Sequence, residues 1–245
     1  MWFKSWYAHP VEITEINPAG THFQWIKFRS LWVEEIAILP GQYLNTDLFD
    51  GQDYHRRSYT PIRCQNGDFG FLIENLGGKL SSELLRKPAK SVIRISGASG
   101  KEKLFPPETN QHVIFVCFGS GISFALSLVS LVSNLQKSPV LFMGLKSDAD
   151  SILGVMEKEG LSLNLEVVTD WNHLFNRIRQ HSTDPNDLGF YLSGDGQKIK
   201  FTERFLLSDG IKPVQIFKEI YYNHKAEPDP EWSFDQGSLP GKESW

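Results

Sequence analysis

The sequence predicts a β plus α/β protein, in which an antiparallel β-barrel is followed by a doubly wound parallel sheet. Three observations carry this. The 245 residues suit about two domains of the usual ~150 residues each. The first part of the chain reads as short β-rich stretches separated by turn signals. After Pro107, short apolar runs alternate with segments of helical period, the pattern of parallel strands with helical crossovers. The expected division is a barrel over residues 1–106, an α/β domain over 107–225 and an acidic, aromatic tail over 226–245.

In the barrel, strands are expected at 11–16, 23–28, 69–74 and 91–96, bounded by Asn-Pro, Pro-Gly and Asn-Gly-Asp segments. Gly97, Gly100 and Pro106-Pro107 punctuate the connection to the second domain. There, strands are expected at 112–118, 140–145, 163–169, 189–192 and 214–217, and helices at 122–135, 150–159, 172–181 and 198–207. A ligand cleft in such a sheet lies at the carboxyl ends of its strands. The tail combines Pro228, Pro230 and Pro240 with Trp232, Phe234 and Trp245, a composition equally suited to an extended segment and to one anchored in a groove.

With 40% hydrophobic and 22% charged residues, the chain lies outside the composition of disordered proteins. The formal charge of −4 is carried by the tail, whose five acids and one base leave the rest balanced, so no nucleic-acid partner is expected. Apolar runs such as 113–118 are far shorter than the roughly 20 residues of a membrane span. The N-terminal segment lacks the basic-then-apolar pattern of a secretion signal, which points to the cytoplasm. Surface attachment through Trp2, Phe3, Trp6 and Tyr7 is the weaker reading, since such aromatics more often pack on their own domain. No metal site is expected: Cys64 and Cys117 are not in a Cys-x-x-Cys arrangement, and the seven histidines include no His-x-x-x-His pair. Both cysteines read as small buried residues.

Four segments carry candidate chemistry. In Arg57-Ser58-Tyr59-Thr60-Pro61, residues two apart on a strand share a face, so a guanidinium can hold a phosphate while a ring stacks on a flat molecule. Alone, this also describes an ordinary exposed strand. In 75–85, Gly77-Gly78 lead into a helical stretch with Ser81 and Ser82 in its first turn, an anion site or simply a glycine turn with a serine N-cap. At 116–123 a strand empties into Gly119-Ser120-Gly121 and then a helix, the place where wound sheets bind nucleotide phosphates, although Phe124 interrupts the full Gly-x-Gly-x-x-Gly. Finally, Tyr191-Leu192-Ser193-Gly194-Asp195-Gly196 ends a later strand and would bring Ser193 to the same cleft.

In this order, and with Glu219-Ile220-Tyr221 near the end, these motifs resemble the ferredoxin-NADP reductase superfamily over residues 8–224. The motifs are most similar to its cytochrome b-five reductase branch, and the length to bacterial flavodoxin and flavin reductases. The resemblance implies a FAD-binding barrel, an NADH- or NADPH-binding sheet and a separate electron acceptor: ferredoxin, flavodoxin, a cytochrome or free flavin. Arg57 would hold the flavin pyrophosphate, Tyr59 would stack on the ring system, and Thr60 would bond the ring nitrogen that accepts hydride. Gly77, Gly78, Lys79, Ser81 and Ser82 would surround the FAD diphosphate, and Gly119, Ser120, Gly121 and Ile122 the pyrophosphate of the nicotinamide nucleotide. Ser193 stands where many members have a cysteine beside the nicotinamide, and Glu219 and Tyr221 match an acidic residue and an aromatic near the flavin. Thr60, Ser193 and Glu219 are therefore the implied catalytic residues. The departures at Ser193, Asp195 and Phe124 keep open a second reading, a non-catalytic FAD-binding or regulatory module. For the nucleotide, Lys146 and Ser147 would suit a 2′-phosphate and Asp148 and Asp150 a free ribose.

Overall fold

The computed structural model describes residues 8–31, 38–39, 41–49, 54–63, 68–96, 98–100, 112–134, 140–144, 148–161, 165–181 and 184–222. The tail, the aromatics at 2–7, Cys64, Lys146 and Ser147 lie outside these. The chain forms two units, Met1–Leu104 with Asp150–Ser162, and Phe105–Ala149 with Leu163–Trp245.

The first unit holds an antiparallel sheet of β1 (Ala8–Pro18), β2 (Phe23–Ser30), β3 (Leu44–Phe49), β4 (Tyr54–Tyr59), β5 (Ile62–Arg63), β6 (Phe69–Glu74) and β7 (Val92–Ser96). Their order is β4-β3-β7-β1-β2-β6-β5. The two outermost strands follow each other in the chain, linked by Thr60-Pro61 alone. Laid flat, seven strands would separate those edges by about 29 Å at ~4.8 Å per step, whereas three Cα steps reach about 11 Å. The sheet therefore curls until its edges approach. Inside it lie Val11, Ile13, Ile26, Phe28, Leu44, Phe71 and Ile95, with Leu80 and Leu84 of helix α1 (Lys79–Arg86). Strand β7 shows why: Ile93 and Ile95 are buried while Val92 and Arg94 are exposed, the period of two that the sequence displays.

The second unit is built on a parallel sheet of β8 (His112–Phe118), β9 (Val140–Gly144), β10 (Leu165–Val167), β11 (Leu188–Asp195) and β12 (Ile216–Tyr222), ordered β10-β9-β8-β11-β12. The order runs outward in one direction from β8 and reverses beyond it, so the topological switch lies between β8 and β11. Helices α2 (Ile122–Asn134), α4 (Trp171–His181) and α5 (Gly196–Ser208) belong to this unit. Its core is aromatic: Phe118, Phe142, Phe190 and a ring stack of Phe175 on Phe205 at 3.5 Å centroid distance. Every residue of β11 is buried. None of the described helices is long and apolar enough to cross a membrane.

Strands β11 and β12 differ from expectation for local reasons. Strand β11 continues past Leu192 to Asp195, because Gly194 adopts φ +114° within the ladder and Asp195 then caps α5 by accepting hydrogen bonds from the amides of Gln197 (2.9 Å) and Lys198 (3.0 Å). The last strand begins at Ile216: Val214 sits 78% exposed in a 3-10 turn, Pro213–Gln215, whose Gln215 amide donates to the carbonyls of Leu188 and Pro185.

From Asp150 on, helix α3 (Ala149–Lys158) is part of the segment that clusters with the first unit. Glu159, 9% exposed, accepts a hydrogen bond from Trp25 Nε1 at 3.2 Å and pairs with Lys27 Nζ at 2.8 Å. Trp25 lies over Gly70 so closely that a Cβ there would fall 2.1 Å from the ring. Removing the carboxylate leaves a buried indole N–H without its acceptor and takes one carboxylate partner from the Lys27 ammonium. Glu159→Ala should therefore lose about 1.5–3 kcal/mol of stability, read as a lowered urea midpoint by circular dichroism.

Candidate functional site

In the first unit the end of β4 and the start of α1 come together. Arg57 and Tyr59 occupy alternate positions of β4, as the sequence predicts for one face. The neighbouring Arg56 is spent on a fork-like pair with Asp47, Nε–Oδ1 2.6 Å and Nη2–Oδ2 3.0 Å. Arg57 is exposed, donates only to the Arg56 carbonyl at 3.0 Å, and has no carboxylate partner among the described residues. Tyr59 stacks on Phe71 with centroids 5.2 Å apart. Burial pushes its phenol up to about 12, against the opposing pull of a Ser81 hydrogen bond and the Arg57 charge. The phenol is thus neutral at physiological pH and its ring is fixed in place. Thr60 follows directly and is buried.

The N-cap of α1 is Gly78, not a serine, and it supplies no side-chain cap. The first ladder bond runs from the Ser82 amide to the Gly78 carbonyl at 2.9 Å, so the amides of Lys79, Leu80 and Ser81 precede the ladder. Gly77 has φ +74° and open space where a Cβ would stand, and Gly77, Gly78 and Lys79 are exposed. A guanidinium without a carboxylate, a helix start of unladdered amides and a backbone open to close approach form the donor set a diphosphate requires.

In the second unit Cys117, Ser193 and Glu219 form one register row across β8, β11 and β12. The 3-10 turn Gly119–Gly121 follows β8 at the switch point. Two glycines serve packing here: a Cβ on Gly121 of the turn would lie 2.3 Å from the Ser193 carbonyl oxygen, and one on Gly194 of β11 would lie 1.9 Å from that of Phe118. Ser120 is half-buried, while the Ile122 side chain is fully buried and its amide bonds back to the carbonyls of Gly119 and Ser120. Of the four residues assigned to a pyrophosphate, Ile122 thus has both its side chain and its amide engaged inside the protein. Ser193 is 0% exposed and its hydroxyl donates to the Gly121 carbonyl at 2.8 Å, with Cys117 Sγ at 3.3 Å. Glu219 and Tyr221 are half-buried on β12. Phe124 is buried against Tyr191, its ring centroid 6.0 Å away. Asp148 is buried and Asp150 exposed.

Burial pushes the Cys117 thiol up to about 12, against the Ser193 hydrogen bond, so almost none is thiolate at neutral pH. In a Cys64→Ser background, a thiol-disulfide reagent at pH 8 should leave Cys117 unmodified until denaturant is added; prompt release of its chromophore from the native protein would refute this. Among the described residues no cluster of three or more metal-ligating side chains occurs. Sequence reasoning missed the Asp195 cap and the Ser193–Gly121 bond. The Asp195 cap had a signal, an aspartate just before a helical run; the Ser193–Gly121 bond spans 72 residues and had none.

A curled antiparallel barrel followed by a five-stranded parallel sheet with its switch beside the first strand is the two-domain fold of the ferredoxin-NADP reductases. The ferredoxin reductase of carbazole 1,9a-dioxygenase superposes with a TM-score of 0.71 at 20% identity, over 88% of this chain and 69% of that one. A ferredoxin NADP+ reductase from Neisseria gonorrhoeae, solved with FAD and NADP, gives 0.68 at 13% identity, over 88% of this chain and all of its own length but 1%. In sequence, the chain is 20% identical over 214 residues to the toluate 1,2-dioxygenase electron transfer component of Pseudomonas putida, covering 80% of this chain. It spans 62% and 60% of the two curated relatives it matches. No family model matches.

Proposed function

We propose that the chain is an FAD-dependent oxidoreductase that accepts hydride from NADH or NADPH and passes electrons to a separate acceptor. The observation that supports this most directly is Arg57, unpaired by any described carboxylate and set beside Tyr59 and the start of α1. Arg57 and the first amides of α1 would hold the FAD diphosphate, with Gly77, Gly78, Lys79, Ser81 and Ser82 around it. Tyr59, neutral and fixed by Phe71, would support the flavin ring, and Thr60 would bond its edge. The flavin, when bound, supplies hydride acceptance and one-electron release; the chain's own residues orient it and shield it from water. In the second unit, the turn Gly119–Gly121 would receive the nucleotide diphosphate at the topological switch, with Glu219 half-buried on β12.

The two sequence relatives are electron transfer components of dioxygenases and one similar structure is a dioxygenase's ferredoxin reductase, which favours an oxygenase or a ferredoxin as acceptor over free flavin. We assign the protein to the cytoplasm, where a free thiol such as Cys117 stays reduced. Because Asp148 is buried, it cannot serve as a surface carboxylate for a ribose, and the NADH–NADPH choice is left to titration. The inward-turned Ser193 hydroxyl favours one alternative, a flavin-binding module without efficient nucleotide reduction. Purified protein incubated with FAD and gel-filtered should be yellow, and anaerobic NADH or NADPH should bleach it. A colourless protein overturns the proposal; a yellow one that neither nucleotide bleaches selects the alternative.

A further inference from the structure

We infer that Ser193 is a positioning residue: its hydroxyl orients the Gly119–Gly121 turn from inside the unit and thereby sets affinity for the nucleotide diphosphate, rather than meeting the nicotinamide. This rests on the function proposed above. A carbonyl only accepts, so the single hydroxyl proton of Ser193 is committed to Gly121 O at 2.8 Å. The hydroxyl's other neighbour, Cys117 Sγ at 3.3 Å, is also buried inside the unit. With 0% exposure, the side chain has no surface left for a ligand.

Three of the contacts that hold the junction of β8 and the turn against β11 bear on its orientation. Two are close backbone approaches that only glycine permits, Gly121 on the Ser193 carbonyl and Gly194 on the Phe118 carbonyl. Such contacts fix distance and leave rotation of the peptide plane open. The third, the Ser193 hydroxyl, is directional. It holds the oxygen end of the Gly121–Ile122 peptide, whose amide end is held by the carbonyls of Gly119 and Ser120. Fixing that plane fixes the exit from the turn into α2, and anion binding at a strand–turn–helix junction depends on where its amides aim.

The test uses the FAD-loaded full chain. ADP-ribose, which has the diphosphate and lacks nicotinamide, is titrated calorimetrically, and the limiting rate of flavin reduction at saturating NADH or NADPH is followed by stopped flow. Ser193→Ala should weaken ADP-ribose about five- to tenfold, the size of one neutral hydrogen bond, with the limiting rate changed less than twofold. Ser193→Cys, which keeps a weaker donor in the same place, should fall between the two and serves alone if the alanine variant does not fold. Unchanged ADP-ribose affinity in the folded variants overturns the inference, and a tenfold lower limiting rate would then return Ser193 to the nicotinamide. A parent protein that neither binds ADP-ribose nor is reduced overturns the functional reading instead.

Discussion

Gly194→Ala should unfold the second unit under conditions where the parent is stable, at a cost of about 2–5 kcal/mol. Two effects combine at this position. The added methyl would sit 1.9 Å from the carbonyl oxygen of buried Phe118, a backbone atom at the end of β8, and overpacking of this kind costs about 1–3 kcal/mol. The residue also holds φ +114°, where a side chain adds about 1–2 kcal/mol of strain. Gly77→Ala is the matched control: it has φ +74° and nothing within 4 Å of the new atom, so the strain stands alone and about 1–2 kcal/mol is expected. Urea unfolding of the pair measures the difference. Equal midpoints would show that the turn between β8 and α2 can shift away from β11, contrary to the packing described.

Arg57→Ala should produce the largest loss of cofactor retention among variants that leave the fold intact. The side chain is exposed and makes no described ion pair, so its removal strands no buried charge. A charge-assisted bond to phosphate contributes about 1.5–3 kcal/mol, which corresponds to roughly ten- to 150-fold weaker FAD binding. Arg56→Ala supplies the contrast, because that guanidinium is already engaged by Asp47, and its loss should reduce FAD binding less. The readout is flavin absorbance per protein after gel filtration, with unfolding midpoints recorded alongside. An Arg57→Ala protein as yellow as the parent would remove Arg57 from the binding site.

The local signals in the sequence were strong where a whole apolar run is buried: the β-rich stretch 69–74 is β6, Phe69–Glu74, and the apolar run 112–118 is β8. They failed where long-range geometry takes over. Gly194 reads as a break because glycine usually ends strands, yet here it lets two backbones touch, and the ladder runs on to Asp195. Val214 reads as a strand start because valine is β-prone, while Pro213 before it initiates a 3-10 turn that leaves Val214 outside. At the candidate site, the alternation of Arg57 and Tyr59 was legible. That Asp47 would claim Arg56 and leave Arg57 was not, since it depends on the register of β3 against β4. Nor could residue types alone reveal that the Ser193 hydroxyl turns inward.

The path of the chain through α3 bears on modularity. Because residues 150–162 return to the barrel and close over Trp25, a fragment that stops at Leu104 would lack Glu159 and present an uncovered indole to solvent. The complementary piece would carry a helix whose partner surface is missing. Attempts to express, swap or transplant either lobe by cutting once between them should give aggregation-prone halves, and a workable graft needs the Asp150–Ser162 insert to travel with the barrel.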